Sequence, residues 1–80
     1  MKVVIEYYGT ATGAPEVRAT VEEENGKVRM KGNKAYVEDL KKGYVNPGDG
    51  RKLTPKDGKL FVERLPYHLT GSYVRARVVE

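Results

Sequence analysis

Eighty residues, 39% apolar and 32% charged, suit one small folded domain and lie far from the composition of a disordered chain. The absence of Cys and the presence of a single His exclude disulfide frameworks, thiolate chemistry and zinc sites built on sulfur or on several imidazoles. A net charge of +4 permits nucleic-acid contact without requiring it.

The first strand is Lys2 to Tyr8, rich in β-branched and aromatic residues. Alternation puts Val3, Ile5 and Tyr7 inward and Val4, Glu6 and Tyr8 outward. Small residues from Gly9 to Pro15 make a wide hairpin loop. Glu16 to Glu24 alternates again, with Val17, Ala19 and Val21 inward and Glu16, Arg18, Thr20 and Glu22 outward. Asn25-Gly26 is the residue pair a type I′ turn prefers, and Lys27 to Lys31 returns from it as a third strand. A two-residue turn there sets Glu24 opposite Lys27, Glu22 opposite Arg29 and Val21 opposite Met30. Charges then meet opposite charges, and an apolar pair falls inward.

Asn33 is placed to cap a helix that Gly43 ends, with Tyr36, Val37 and Leu40 as its apolar stripe. Asn46-Pro47-Gly48-Asp49-Gly50 is turn chemistry. A second helix is expected to open at Thr54 as N-cap, with Pro55 in its first position and Asp57 in its first turn. Leu60, Phe61 and Leu65 give it a buried face, and Pro66 sets its boundary at Leu65 unless Pro66-Tyr67-His68-Leu69 adds one further turn before Thr70-Gly71. Ser72 to Glu80 forms the last strand, with Val74, Ala76 and Val78 inward and Tyr73, Arg75, Arg77 and Val79 outward.

The order β-β-β-α-α-β, with no repeat or linker, predicts a single α+β domain over residues 1–80. Its architecture is a four-stranded, mainly antiparallel sheet with both helices on one face and the last strand beside the first. No apolar run exceeds the three residues of Val3-Val4-Ile5, so the sequence predicts no membrane partner and a cytoplasmic protein. Lys, Glu and Arg abound while Gln is absent and Asn occurs three times, a thermophile-like composition.

Catalytic patterns are missing. His68 stands near Ser72 with no acidic orienter beside it, and no Gly-x-Ser-x-Gly elbow is present. Glu22, Glu23 and Glu24 face cations across a hairpin and read as solvated pairs. The Asn46–Gly50 turn lacks the alternating oxygen ligands of a calcium loop, and Gly50-Arg51-Lys52-Leu53-Thr54 lacks the spacing of a P-loop. The sequence therefore predicts a non-enzymatic protein with no cofactor and no metal.

Charge distribution carries the functional expectation. Residues 1–26 hold two basic and five acidic side chains, whereas residues 27–59 hold ten basic and four acidic. Within 41–59, Lys41, Lys42, Arg51, Lys52, Lys56 and Lys59 stand against only Asp49 and Asp57. That segment leads into a helix N-terminus, where free N–H groups favour anions. The leading expectation is a small binding module that contacts nucleic-acid phosphates through these six residues with low sequence specificity. The open sheet face offers a weaker variant, with basic side chains and tyrosines of the kind that bind single-stranded RNA. The alternative is a protein-interaction or homodimeric subunit that uses an outward apolar stripe of Val4, Tyr8, Tyr73 and Val79 on the open sheet face.

Overall fold

Asn25 and Gly26 both take positive φ, 54° and 83°, as a type I′ turn requires. They join β2 (Glu16–Glu24) to β3 (Lys27–Gly32) in the register read from the sequence: Glu24 faces Lys27, Glu22 faces Arg29 and Val21 faces Met30. The computed structural model describes residues 1–79. In it β1 (Lys2–Tyr7) pairs antiparallel with β2 on one side and with β6 (Val74–Val79) on the other. The sheet order is thus β3-β2-β1-β6, with the last strand beside the first.

Both helices cover the same face. Asn33 caps α1 (Lys34–Lys41) by accepting the N–H groups of Ala35 and Tyr36 at 3.0 and 3.3 Å, a contact worth about 1 kcal/mol. Leu40 is its buried residue, with Tyr36 and Val37 packed at the margin of the core. From α2 (Lys59–His68), Phe61, Val62 and Leu65 enter the core beside Val3, Ile5, Ala19, Val21 and Ala76 of the sheet. Val62 joins the apolar face expected of this helix, while Leu60 is only partly buried.

Between the helices the chain builds a ribbon not foreseen from the sequence, β4 (Tyr44–Val45) with β5 (Lys52–Leu53), around the Asn46–Gly50 turn. It delivers Tyr44 and Leu53 to the core. The Tyr44 hydroxyl donates to the carbonyl of Phe61, and its ring lies 5.1 Å from Phe61 and 4.6 Å from His68. Burial pushes the Tyr44 phenol up to about 12. His68 is therefore a stacking partner at the rim of the core.

The structure corrects two local expectations and decides a third. First, the β1–β2 register shifts between Ile5 and Glu6, so Ala19 pairs with Ile5 and Val17 with Glu6, leaving Arg18 as the extra residue of a bulge. The phase of β2 reverses there: Val17 is 60% exposed, and the Arg18 guanidinium lies 4.6 Å over the ring of Tyr7. Second, Thr54 and Pro55 open a 3₁₀ turn (Pro55–Asp57), and Gly58, with φ 59° and ψ −121°, separates it from α2. Third, of the two ends open to α2 the structure takes the later one, and the helix runs through Pro66 to His68. Proline in a last turn removes one N–H bond, and the buried Phe61, Val62 and Leu65 hold the helix in spite of it.

The two sheet edges differ. Leu69 folds back so that its carbonyl accepts the N–H of Ala76 at 3.3 Å, and Thr70 bridges to Arg75, which covers part of the β6 edge. The β3 edge carries Lys27, Arg29 and Lys31 in alternation. Among the described residues, no helix is long and apolar enough to cross a membrane.

Candidate nucleic-acid interface

The six cations of 41–59 are all exposed, but they come from different elements and half of them have acidic partners. Lys41 lies 3.9 Å from Glu38 on α1, and Lys59 lies 3.6 Å from Glu63 on α2. Arg51 donates to Asp57 at 3.1 Å. The other oxygen of Asp57 accepts the N–H of Thr54 at 2.8 Å, and that contact foremost holds its carboxyl below the usual aspartate range. The turn that was expected to attract a phosphate thus already holds a carboxylate of its own. Among the described residues, Lys42, Lys52 and Lys56 have no carboxylate within salt-bridge distance.

Lys56 has different company. The 3₁₀ turn docks on the tip of the β2–β3 hairpin, so close that a Cβ on Gly58 would lie 3.0 Å from the carbonyl oxygen of Gly26. Two glycines in contact bring Lys56 and Pro55 beside Lys27, Val28 and Arg29, around an open cleft of about 680 Å³. Glu24 is the carboxylate on its wall. Lys27 and Arg29 were expected among the basic side chains of the open sheet face, outside the six phosphate-contacting residues of 41–59. Their signal was the Asn25-Gly26 turn, but nothing local in the sequence says that the 3₁₀ turn packs against it.

The open face of the sheet is built around Glu6. Although it faces away from the helices, this side chain is only 6% exposed. Arg77 donates to both of its oxygens, from Nε at 2.9 Å and from Nη2 at 3.3 Å, and the Tyr8 hydroxyl adds a third bond at 3.1 Å. The Arg77 fork holds the Glu6 carboxyl below its ordinary value of 4.5, overcoming the burial that would raise it. Stability from a depressed carboxylate is complete above the unfolded-state pKa, near about 4.3, and is lost as pH falls through the folded-state value. Thermal melts should therefore show wild-type Tm falling below about pH 4.5. Glu6→Gln should lower Tm at neutral pH and shrink that acid-dependent fall. A fall of unchanged size would show that the pair contributes nothing. Asp57 acts with the same sign, so part of the fall should persist.

The apolar stripe is not continuous. Val4 is only 8% exposed and pairs across to Arg77 and Thr20. Glu6 stands between Val4 and Tyr8 on one strand, and Arg75 and Arg77 stand between Tyr73 and Val79 on the other. Tyr73 alone of the four is well exposed, at 64%. Exposed apolar side chains meet elsewhere: Met1, Tyr67 and Val78, the last pointing to the helix side yet 52% exposed, line one shallow cleft with Pro66. Compared with protein-family models, with curated proteins and with solved structures, the chain matches none.

Proposed function

We propose that this is a small non-enzymatic binding module that contacts nucleic-acid phosphates with low sequence specificity and works in the cytoplasm. The observation that supports the reading best is the meeting of Lys56 with Lys27 and Arg29 around a cleft with Glu24 on its wall and Glu22 opposite Arg29 across the hairpin. Phosphates need closely spaced cations, and Arg offers a fork that matches them. Lys42 and Lys52 extend the contact, whereas Lys41, Arg51 and Lys59 contribute less because carboxylates already hold them.

Binding of mixed DNA and RNA at two salt concentrations tests this. If about four to six phosphates are neutralised, log affinity should fall against log salt with a slope of roughly −3 to −5. Lys27→Ala with Lys56→Ala should reduce the slope by about two contacts and weaken all sequences alike. Arg51→Ala should change it by less, since Asp57 holds that guanidinium. No association at low salt would overturn the reading. A self-associating subunit would then take its place, joined through Met1, Tyr67 and Val78, with sedimentation at rising concentration as its measurement.

A further inference from the structure

One end of the sheet gathers tyrosines and arginines. The N–H of Tyr8 donates to the carbonyl of Tyr73 at 2.6 Å, which closes the β1–β6 pairing beyond the strands. The rings of Tyr7 and Tyr73 lie 6.5 Å apart, and the Arg18 guanidinium lies 4.6 Å over Tyr7. The Arg75 guanidinium lies 5.4 Å over Tyr8. Gly9 makes this convergence possible: a Cβ there would lie 2.4 Å from the hydroxyl of Tyr7 and 3.1 Å from the ring of Tyr73. The bulge contributes too, because without the extra residue Arg18 would fall on the opposite face from Tyr7.

On the open face at this end the surface charge is one-sided, whereas on the helix side the exposed Glu16 lies 3.9 Å from Arg18. Register places Arg75 and Arg77 on successive outward positions of β6, with Lys31 on the far strand in the same cross-strand row as Arg77. The carboxylate among them, Glu6, is buried beneath Arg77 and Tyr8. At the hairpin end of the same face, by contrast, Glu24 and Glu22 lie opposite Lys27 and Arg29. Exposed aromatic rings bordered by cations are what an unpaired base and its phosphate require. A duplex hides its base faces and gains nothing from the rings.

We propose that the tyrosine–arginine end of the sheet is a stacking platform for single-stranded nucleic acid, with Tyr73 receiving a base and Arg75 and Lys31 tracking the backbone. This deepens the nucleic-acid reading above and rests on it. It names single strands as the partner, and a surface distinct from the Lys56 cleft as what selects them.

The test is anisotropy of a labelled oligothymidylate of about twelve nucleotides, free and as its duplex with oligoadenylate, at two salt concentrations. The single strand should bind at least about tenfold tighter than the duplex. Tyr73→Ala should weaken the single strand by roughly five- to one-hundredfold and leave the duplex and the salt slope unchanged, because it removes a ring and no charge. Tyr73→Phe should retain wild-type affinity. Lys31→Ala, exposed and outside the core, should reduce the slope for single strands by about one contact. Thermal melts of each variant separate lost binding from lost folding. Equal affinity for both forms, with Tyr73→Ala without effect, would overturn the platform and leave the phosphate-contact reading standing. No binding of either form at low salt would overturn both.

Discussion

Phe61→Ala is expected to lower the unfolding free energy by about 3–5 kcal/mol, the range for emptying a fully buried aromatic site. Phe61 has no exposed surface and lies between the sheet and the β4–β5 ribbon, with the ring of Tyr44 5.1 Å away. Its backbone carbonyl receives the Tyr44 hydroxyl, so a shift of α2 into the cavity would also disturb that bond. A chain of this length has about 4–12 kcal/mol of total stability at the usual value per residue, and the variant would therefore sit near the edge of folding. Urea unfolding should show a much lower midpoint at a similar slope. Leu60→Ala, one residue away and only partly buried, should cost far less. Equal losses for the two would contradict the placement of the helix.

Gly32→Ala should cost about 2–5 kcal/mol, the sum of backbone strain and overpacking. Gly32 has φ 132°, a region that L side chains rarely adopt. A Cβ there would lie 2.4 Å from the carbonyl oxygen of Arg18 and 2.6 Å from the Cα of Ala19, both backbone atoms with little room to move. Arg18 is the bulge residue, and its carbonyl also accepts the N–H of Asn33 at 2.7 Å. The substitution therefore acts on the bulge and on the cap of α1 together. Gly48→Ala is the matched control: no atom lies within 4 Å of its Cβ position, and its effect should stay within about 1 kcal/mol of zero. The two melting curves, recorded side by side, give the comparison. A near-neutral Gly32→Ala would mean that the bulge is free to relax.

The strands, their order and the face that carries the helices were legible in the sequence because each rests on a local or periodic signal. Asn25-Gly26 fixes one register, and charge matching across it agrees. The bulge at Arg18 left no such trace, since Val17-Arg18-Ala19 alternates as well without it as with it. The β4–β5 ribbon is two residues a side, too short for any period to reveal. For the site, the cations were visible but their partners were not. Asp57 was recognised as a helix-opening residue, yet that it also takes Arg51 depends on the path of the ribbon. Lys27 and Lys56 stand 29 positions apart, and only the Gly26–Gly58 contact brings them to one cleft.

The treatment of the two sheet edges limits how copies of this protein can combine. A second β6 arriving at the first would find the N–H of Ala76 already given to Leu69. Two β3 edges placed side by side would oppose Lys27, Arg29 and Lys31 to their own kind, an arrangement that like-charge repulsion disfavours. The covered stretch of β6 and the cationic β3 edge both disfavour a fifth strand. Growth into fibres through continuous backbone pairing is thereby opposed at both ends, and the faces of the sheet and helices are left as the easier ground for assembly.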